Sequence, residues 1–317
     1  MTHVIGVSET RSVTVDCWGD PKGFPIFLLH GTPGSRSGPV PRTPLLYQQG
    51  ILLICYDRPG YGGSTRHQGR TVEHAAHDVL TIADHLGLGE FSVVGRSGGG
   101  PHALACAAVI DEKRLRNAAV LVGLAPSDAE DLEWFKGMND ANINDYGLAS
   151  DDVNGTLEAD LARRAEEIRQ DPKSLLRRLE EEMSGADLRI VTDVAIRRQL
   201  AGTYKEALKD GAYGWIDDVL ALRRPWGFDV KEIKVPVRLW HGAEDVFNPA
   251  SHSRWLARHI PTAQIEVQPG AAHFSAVEVL PRLLARLKAD SAAPRPRTDS
   301  ISEGLGVKSA QEPAIAS

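Results

Sequence analysis

Three side chains could together cleave an acyl bond if the fold brought them to one place: Ser97, Asp245 and His273. A serine hydroxyl is a poor nucleophile unless an imidazole takes its proton and a third group fixes the imidazole. Ser97 stands in Gly95-Arg96-Ser97-Gly98-Gly99, with an apolar run before it and Gly100 and a helical segment after it. A sharp strand-to-helix turn that presents a serine needs small residues two before and two after it, because those backbones nearly touch. With 30 Gly in the chain, the bare pattern arises by chance on the order of 0.2 times, so its strand, turn and helix context carries the weight. A Gly-rich phosphate turn fits poorly, since neither the G-x-G-x-x-G spacing nor a following Lys-Ser/Thr is present.

Position selects the base among the 11 histidines. His273, in Gly270-Ala271-Ala272-His273-Phe274, follows the last expected strand and precedes the final helix, at the sheet edge expected for Ser97. His74, His77 and His85 fall on one expected helix and His252 and His259 on another, where a structural role is the plain reading. The acid is sought in the loop after the run 235–240; Asp245 is preferred and Glu244 is its neighbour and competitor. The chain order Ser97, Asp245, His273 is one of three known for this kind of triad. A tetrahedral oxyanion also needs donors. The glycines of His30-Gly31-Thr32-Pro33-Gly34 allow a turn that aims an N–H at the site, which makes the backbone N–H groups of Thr32 and Gly98 the candidate pair. Gly98 would also open a helix whose positive end favours the anion.

Such loops need a scaffold, and the sequence suggests one. Short apolar runs at 12–17, 25–30, 51–56, 91–95, 118–123, 235–240 and 264–267 alternate with helical patterns, the rhythm of a doubly wound, mostly parallel α/β sheet with helices on both faces. Residues 71–88 carry an apolar stripe with Thr71 as the expected N-cap, and 101–110 read as a buried helix. Strand signal then disappears from 126 to 224, where charged helical patterns such as 161–169 and 175–182 take over. An insertion there is expected to cap the carboxyl edge of the strands, where such sheets bind ligands. The expected organisation is core at 1–125 and 225–288, cap at 126–224, and a disordered Ser/Ala/Pro-rich tail at 289–317.

Composition narrows the partners. The chain has 317 residues, 42% hydrophobic and 25% charged, long enough for one large core with a lid. A formal net charge of -6 gives no reason to gather on nucleic acid or on an anionic membrane, so neither is expected as a partner. Three cysteines in apolar contexts speak against a disulfide framework, and with no apolar run approaching 18 residues the expected location is cytoplasmic. A small-molecule substrate is the expected partner, and oligomeric state is left open.

The succession HGTPG (30–34), YDRPGYGGS (56–64), GRSGG (95–99), GAED (242–245) and GAAH (270–273) resembles the capped α/β-hydrolases of the esterase, proline iminopeptidase and haloperoxidase-like branch, across residues 12–288. The resemblance implies eight strands, a helical cap, Ser97 as nucleophile, Asp245 as acid, His273 as base, and no cofactor or metal. It also brings in Asp128 as an alternative acid, because some members of that fold draw it from the loop after the run 118–123. Aminopeptidase members usually carry Gln-Arg after the Asp and Trp after the Ser, where this chain has Asp57-Arg58-Pro59 and Ser97-Gly98. Arg96, before the Ser, is an uncommon choice. The expected activity is hydrolysis of a carboxylic ester or thioester through an acyl-enzyme, with Trp134, Phe135, Met138, Tyr146, Tyr204, Tyr213 and Trp215 as candidate cap residues around an apolar acyl pocket. An aminopeptidase, or a binding receptor without turnover, are the rivals.

Overall fold

The computed structural model describes residues 2–151 and 155–292. Eight strands form one sheet: β1 (Thr2–Gly6), β2 (Ser12–Gly19), β3 (Phe24–Leu29), β4 (Ile51–Tyr56), β5 (Phe91–Arg96), β6 (Leu115–Leu121), β7 (Val237–Gly242) and β8 (Ala263–Gln268), in the order β1-β2-β4-β3-β5-β6-β7-β8. β1 and β2 run antiparallel to each other, as do β2 and β4, and every later pairing is parallel.

The continuous apolar character of the inner strands follows from burial on both faces. Along β3, Phe27 and Leu29 point into one core with Val93 and Val120, while Ile26 and Leu28 point into another with Val94 and Leu121. Helices α2 (His74–His85) and α3 (Gly99–Val109) close the first face; α1 (Thr43–Gln48) and α11 (Ala276–Ser291) close the second. α10 (Ser251–His259) packs against β7 and β8. Between β6 and β7 the chain leaves the sheet to form α4 (Asp140–Asp151), α5 (Thr156–Gln170), α6 (Ser174–Glu180), α7 (Gly185–Val191), α8 (Val194–Ala207) and α9 (Tyr213–Arg223), the helical cap.

Several boundaries differ from the sequence reading, each for a local reason. β1 was not expected; as an edge strand it exposes Val4 while burying Ile5, too short an alternation to stand out. β7 starts two residues late because Pro236 has no N–H for the ladder, although its carbonyl accepts from Ala118 N at 2.9 Å. Thr71 does not cap α2: its N–H donates to the His74 ring at 3.0 Å, the helix begins at His74, and Gly87 at φ 67 ends it. α11 continues through Ser291, past the expected start of the tail, and residues 293–317 lie outside the described residues. Among the described residues Cys17, Cys55 and Cys106 form no disulfide, and no helix is long and apolar enough to cross a membrane.

Candidate active site

β5 ends at Arg96 and α3 begins at Gly99, so Ser97 and Gly98 alone make the turn. Ser97 has φ 55, a left-handed conformation that side-chain-bearing residues rarely adopt. The surrounding glycines are sterically required: a Cβ on Gly95 would lie 2.1 Å from the Gly99 carbonyl oxygen, and one on Gly99 2.2 Å from that of Leu29. Ser97 N donates to Leu121 O (2.9 Å) and Gly100 N to Ser97 O (2.8 Å), locking the turn at the carboxyl end of the sheet. Among the described residues the hydroxyl has one hydrogen-bonding neighbour, Nδ2 of Asn248 at 3.5 Å, the outer limit of a useful bond. That amide is aimed by the Val122 carbonyl (2.7 Å), and Val122 itself adopts φ 49, an unusual conformation for a β-branched residue.

Asp245 is buried in the loop after β7 and gathers donors on both oxygens. Oδ1 accepts from the backbone N–H groups of Phe247 (2.8 Å) and Asn248 (2.9 Å). Oδ2 accepts from His273 Nδ1 at 2.9 Å and lies 3.3 Å from His241 Nε2. Burial alone would raise its pKa; His273 beside it and the bonds from His241 and His273 reverse that and hold the carboxyl below its usual range. Glu244 and Asp128 are exposed, so of the three carboxylates considered from sequence, Asp245 is the one in contact with His273. His252 instead spans Ala125 N and the Trp134 carbonyl, a structural role, and His74, His77 and His85 are exposed on α2.

The His273 loop is also tied to the cap. Asp187 of α7 accepts from Phe274 N at 2.7 Å, while its other carboxylate oxygen is buried without a partner. Burial pushes the Asp187 pKa up to about 6 in spite of the nearby His273.

The turn after β3 is pinned from beneath. Arg58 donates to the carbonyls of His30 and Gly31 and pairs with Asp218 of α9 at 2.5 Å. Asp218 also accepts from Thr32 Oγ1 (2.6 Å), Tyr61 OH (2.9 Å) and Arg70 Nη2 (2.6 Å). Burial opposes the Asp218 charge, but Arg58 and Arg70 outweigh it and keep the carboxyl ionised. Thr32 and Gly98 therefore face each other closely: a Cβ on Gly98 would lie 2.3 Å from Thr32 Oγ1 and 3.4 Å from Thr32 N. Among the described residues neither of their backbone N–H groups donates within the protein, which leaves both available beside Ser97. Asn248, Arg58, Arg70, Asp187 and Asp218 had no role assigned from sequence. Only Asp218 left a readable trace, as one of two adjacent carboxylates, with Asp217, inside the mostly apolar α9, where burial demands partners.

A cavity of about 90 Å³ opens above the turn, bordered by Ser97 and His273 from the sheet side and by Tyr146, Tyr204 and Trp215 from the cap. Trp134 and Tyr213 do not line it, contrary to expectation. Trp134 is consumed by packing: its Nε1 donates to Ala125 O at 3.0 Å and its ring meets Phe135, Tyr146 and His252 edge-on. Tyr213 is 47% exposed on the far side, under the Arg66 guanidinium 4.3 Å from its ring centre. Phe135 and Met138 likewise pack into the core and border no part of the cavity.

Residues 25–278 match the protein family described as "alpha/beta hydrolase fold". A non-heme haloperoxidase of Rhodococcus erythropolis is 26% identical over 275 residues, covering 85% of this chain and 92% of that protein. A proline iminopeptidase of Xanthomonas citri is 30% identical, over 135 residues and 41% of each chain. The crystal structure of the esterase RhEst1 from Rhodococcus sp. ECU1013 superposes with a TM-score of 0.61 at 18% identity, covering 92% of this chain and 98% of that one, a likeness of fold.

Proposed function

The chain belongs to the alpha/beta hydrolase fold family, and from that premise we propose that it is a serine hydrolase cleaving the ester or thioester of a small substrate through an acyl-enzyme. The observation that carries the reading is the buried Asp245 carboxylate on His273 Nδ1, with His273 and Ser97 lining one cavity. With Nδ1–H donated to Asp245, the His273 Nε2 lone pair is the free base.

In this mechanism His273 takes the Ser97 proton as Oγ bonds to the substrate carbonyl carbon. The oxyanion that forms is met by the Thr32 and Gly98 N–H groups. His273 then protonates the leaving alcohol or thiol as its bond to carbon breaks. A water, deprotonated by His273, attacks the acyl carbon, and Ser97 recovers its proton as the acid leaves. Asp245 stays ionised and steadies the imidazolium at each stage. Arg58 and Asp218 act by positioning, since they hold the Thr32 turn and touch no reacting atom.

The peptidase alternative lacks support in the cavity. An aminopeptidase needs a free carboxylate for the substrate ammonium, and the cavity's acidic side chain among the described residues, Asp145, is already paired with Arg164. The test is a panel of short acyl esters, thioesters and prolyl amides with the wild type and Ser97→Ala. Turnover of esters or thioesters that falls by several orders of magnitude in the variant is expected. Equal turnover by both proteins, or cleavage confined to prolyl amides, would overturn the proposal.

A further inference from the structure

Arg96 directly precedes Ser97 and lines the same cavity. The other arginines on that wall are committed: Arg164 to Asp145 and Asp160, Arg178 to Glu167. Deeper in the protein, Arg36 is held by Asp57, and Arg58 and Arg70 by Asp218. Among the described residues no carboxylate pairs with Arg96 and no hydrogen bond holds its guanidinium. Arg96 also borders a smaller hollow of about 10 Å³ with His30, Ser35 and Arg36, whose lining offers no carboxylate either. Burial lowers its pKa, with the Tyr204 phenol as the opposing influence, yet a guanidinium remains charged at neutral pH.

Arg96 is half-buried, and a guanidinium that has lost part of its hydration gains from an anionic partner. The cavity it lines gives such a partner access to it. The guanidinium fork fits a carboxylate through two parallel N–H···O bonds. Leu175, Leu179 and Val219 add apolar surface to the wall, which suits a short carbon chain. Resting on the hydrolase reading above, we propose that Arg96 is the anion-recognition residue of this cavity and that the substrate is a small ester or thioester bearing a free carboxylate.

Two matched pairs test this, followed by proton release at constant pH. Monoethyl glutarate against diethyl glutarate places the charge on the acyl side; acetoxyacetate against its ethyl ester places it on the alcohol side. In at least one pair the wild type should favour the anion in kcat/KM by roughly 10–100-fold, the range of a charge-assisted bond. Arg96→Gln should collapse that ratio towards one, and Arg96→Lys, which keeps the charge without the fork, should retain part of it. No anion preference in either pair, or a preference that survives in Arg96→Gln, overturns the proposal; if Arg96→Gln does not fold, the wild-type ratios and Arg96→Lys decide. A binding arm separates this from the hydrolase reading, because it needs no turnover. Glutarate titrated calorimetrically into Ser97→Ala should bind one to one, and at least about 10-fold more weakly when Arg96→Gln is added. Absent binding, or binding indifferent to Arg96, rejects the anion site whether or not any ester is cleaved.

Discussion

Two buried aspartates approach His273 from opposite regions, Asp245 from the loop after β7 and Asp187 from cap helix α7, and they are held in opposite ways. Both are withdrawn from water. Asp245 is met by two backbone N–H groups and two imidazoles, and its carboxyl stays below the ordinary range. Asp187 leaves one oxygen without a donor, and its pKa climbs to about 6. Burial is common to the two, so the count and kind of donors decide which carboxylate keeps its charge. The sheet edge thus supplies a carboxylate fit to steady an imidazolium, whereas the cap supplies one that fastens the loop.

The largest expected effect lies on the sheet side of that contrast. Asp245→Asn should keep the shape but favour the wrong His273 tautomer, lowering kcat by about 10²–10⁴-fold, as in the protease case from which that magnitude comes. Glu244→Gln and Asp128→Asn, both at exposed positions, should cost little. The three are assayed side by side on one ester at one pH; near wild-type turnover by Asp245→Asn would redraw the triad.

On the cap side the effect is smaller and depends on pH. Unfolded, the Asp187 carboxyl titrates near 4; folded, near 6. Below pH 4 both states carry the proton and the residue is neutral to stability. As pH rises from 4 to 6 the unfolded chain ionises first, so Asp187 costs the folded protein stability, approaching about 3 kcal/mol above pH 6. Asp187→Asn, which keeps the carbonyl for Phe274 N–H, should therefore match the wild type at pH 4 and exceed it at pH 7. Urea unfolding of both proteins at the two pH values checks this, and a difference independent of pH would contradict it. Asp245 acts with the opposite sign: its contribution is present above the ordinary carboxylate range and is lost as pH falls through and below it.

Smallest of all should be the response of the cap aromatics. Trp215→Ala or Tyr146→Ala should shift the ranking among acyl chain lengths by about 1–3 kcal/mol each, because both side chains border the cavity. Trp134→Ala should reduce thermal stability and shift the ranking less than Trp215→Ala, since its ring borders no part of the cavity and reaches it through Tyr146. Specificity constants over a series of esters, together with melting curves, distinguish the two outcomes.

The positions of Ser97 and Asp245 were legible because each follows a largely apolar strand that reads as buried, whereas β8 before His273 is AQIEVQ with no residue buried, so His273 was legible only from its place between that strand and the final helix. The residues that hold them were not. Arg58 and Asp218 are 160 positions apart and meet only once α9 folds back over the sheet. Asn248 reads as a loop residue until the Val122 carbonyl turns its amide towards Ser97. The cap aromatics were ambiguous for a related reason: a ring that fills a core and a ring that walls a cavity look alike in sequence, and only packing parted Trp134 from Trp215.

The central claim, that His273 and Asp245 activate Ser97, is tested most directly by locating a covalent label. Wild-type protein treated with a fluorophosphonate and digested should carry the phosphonyl group on the peptide containing Ser97 and on no other, by mass spectrometry. Labelling should be lost in Ser97→Ala and slowed by orders of magnitude in His273→Ala. A label on another residue, or equal labelling rates in wild type and His273→Ala, would contradict the account.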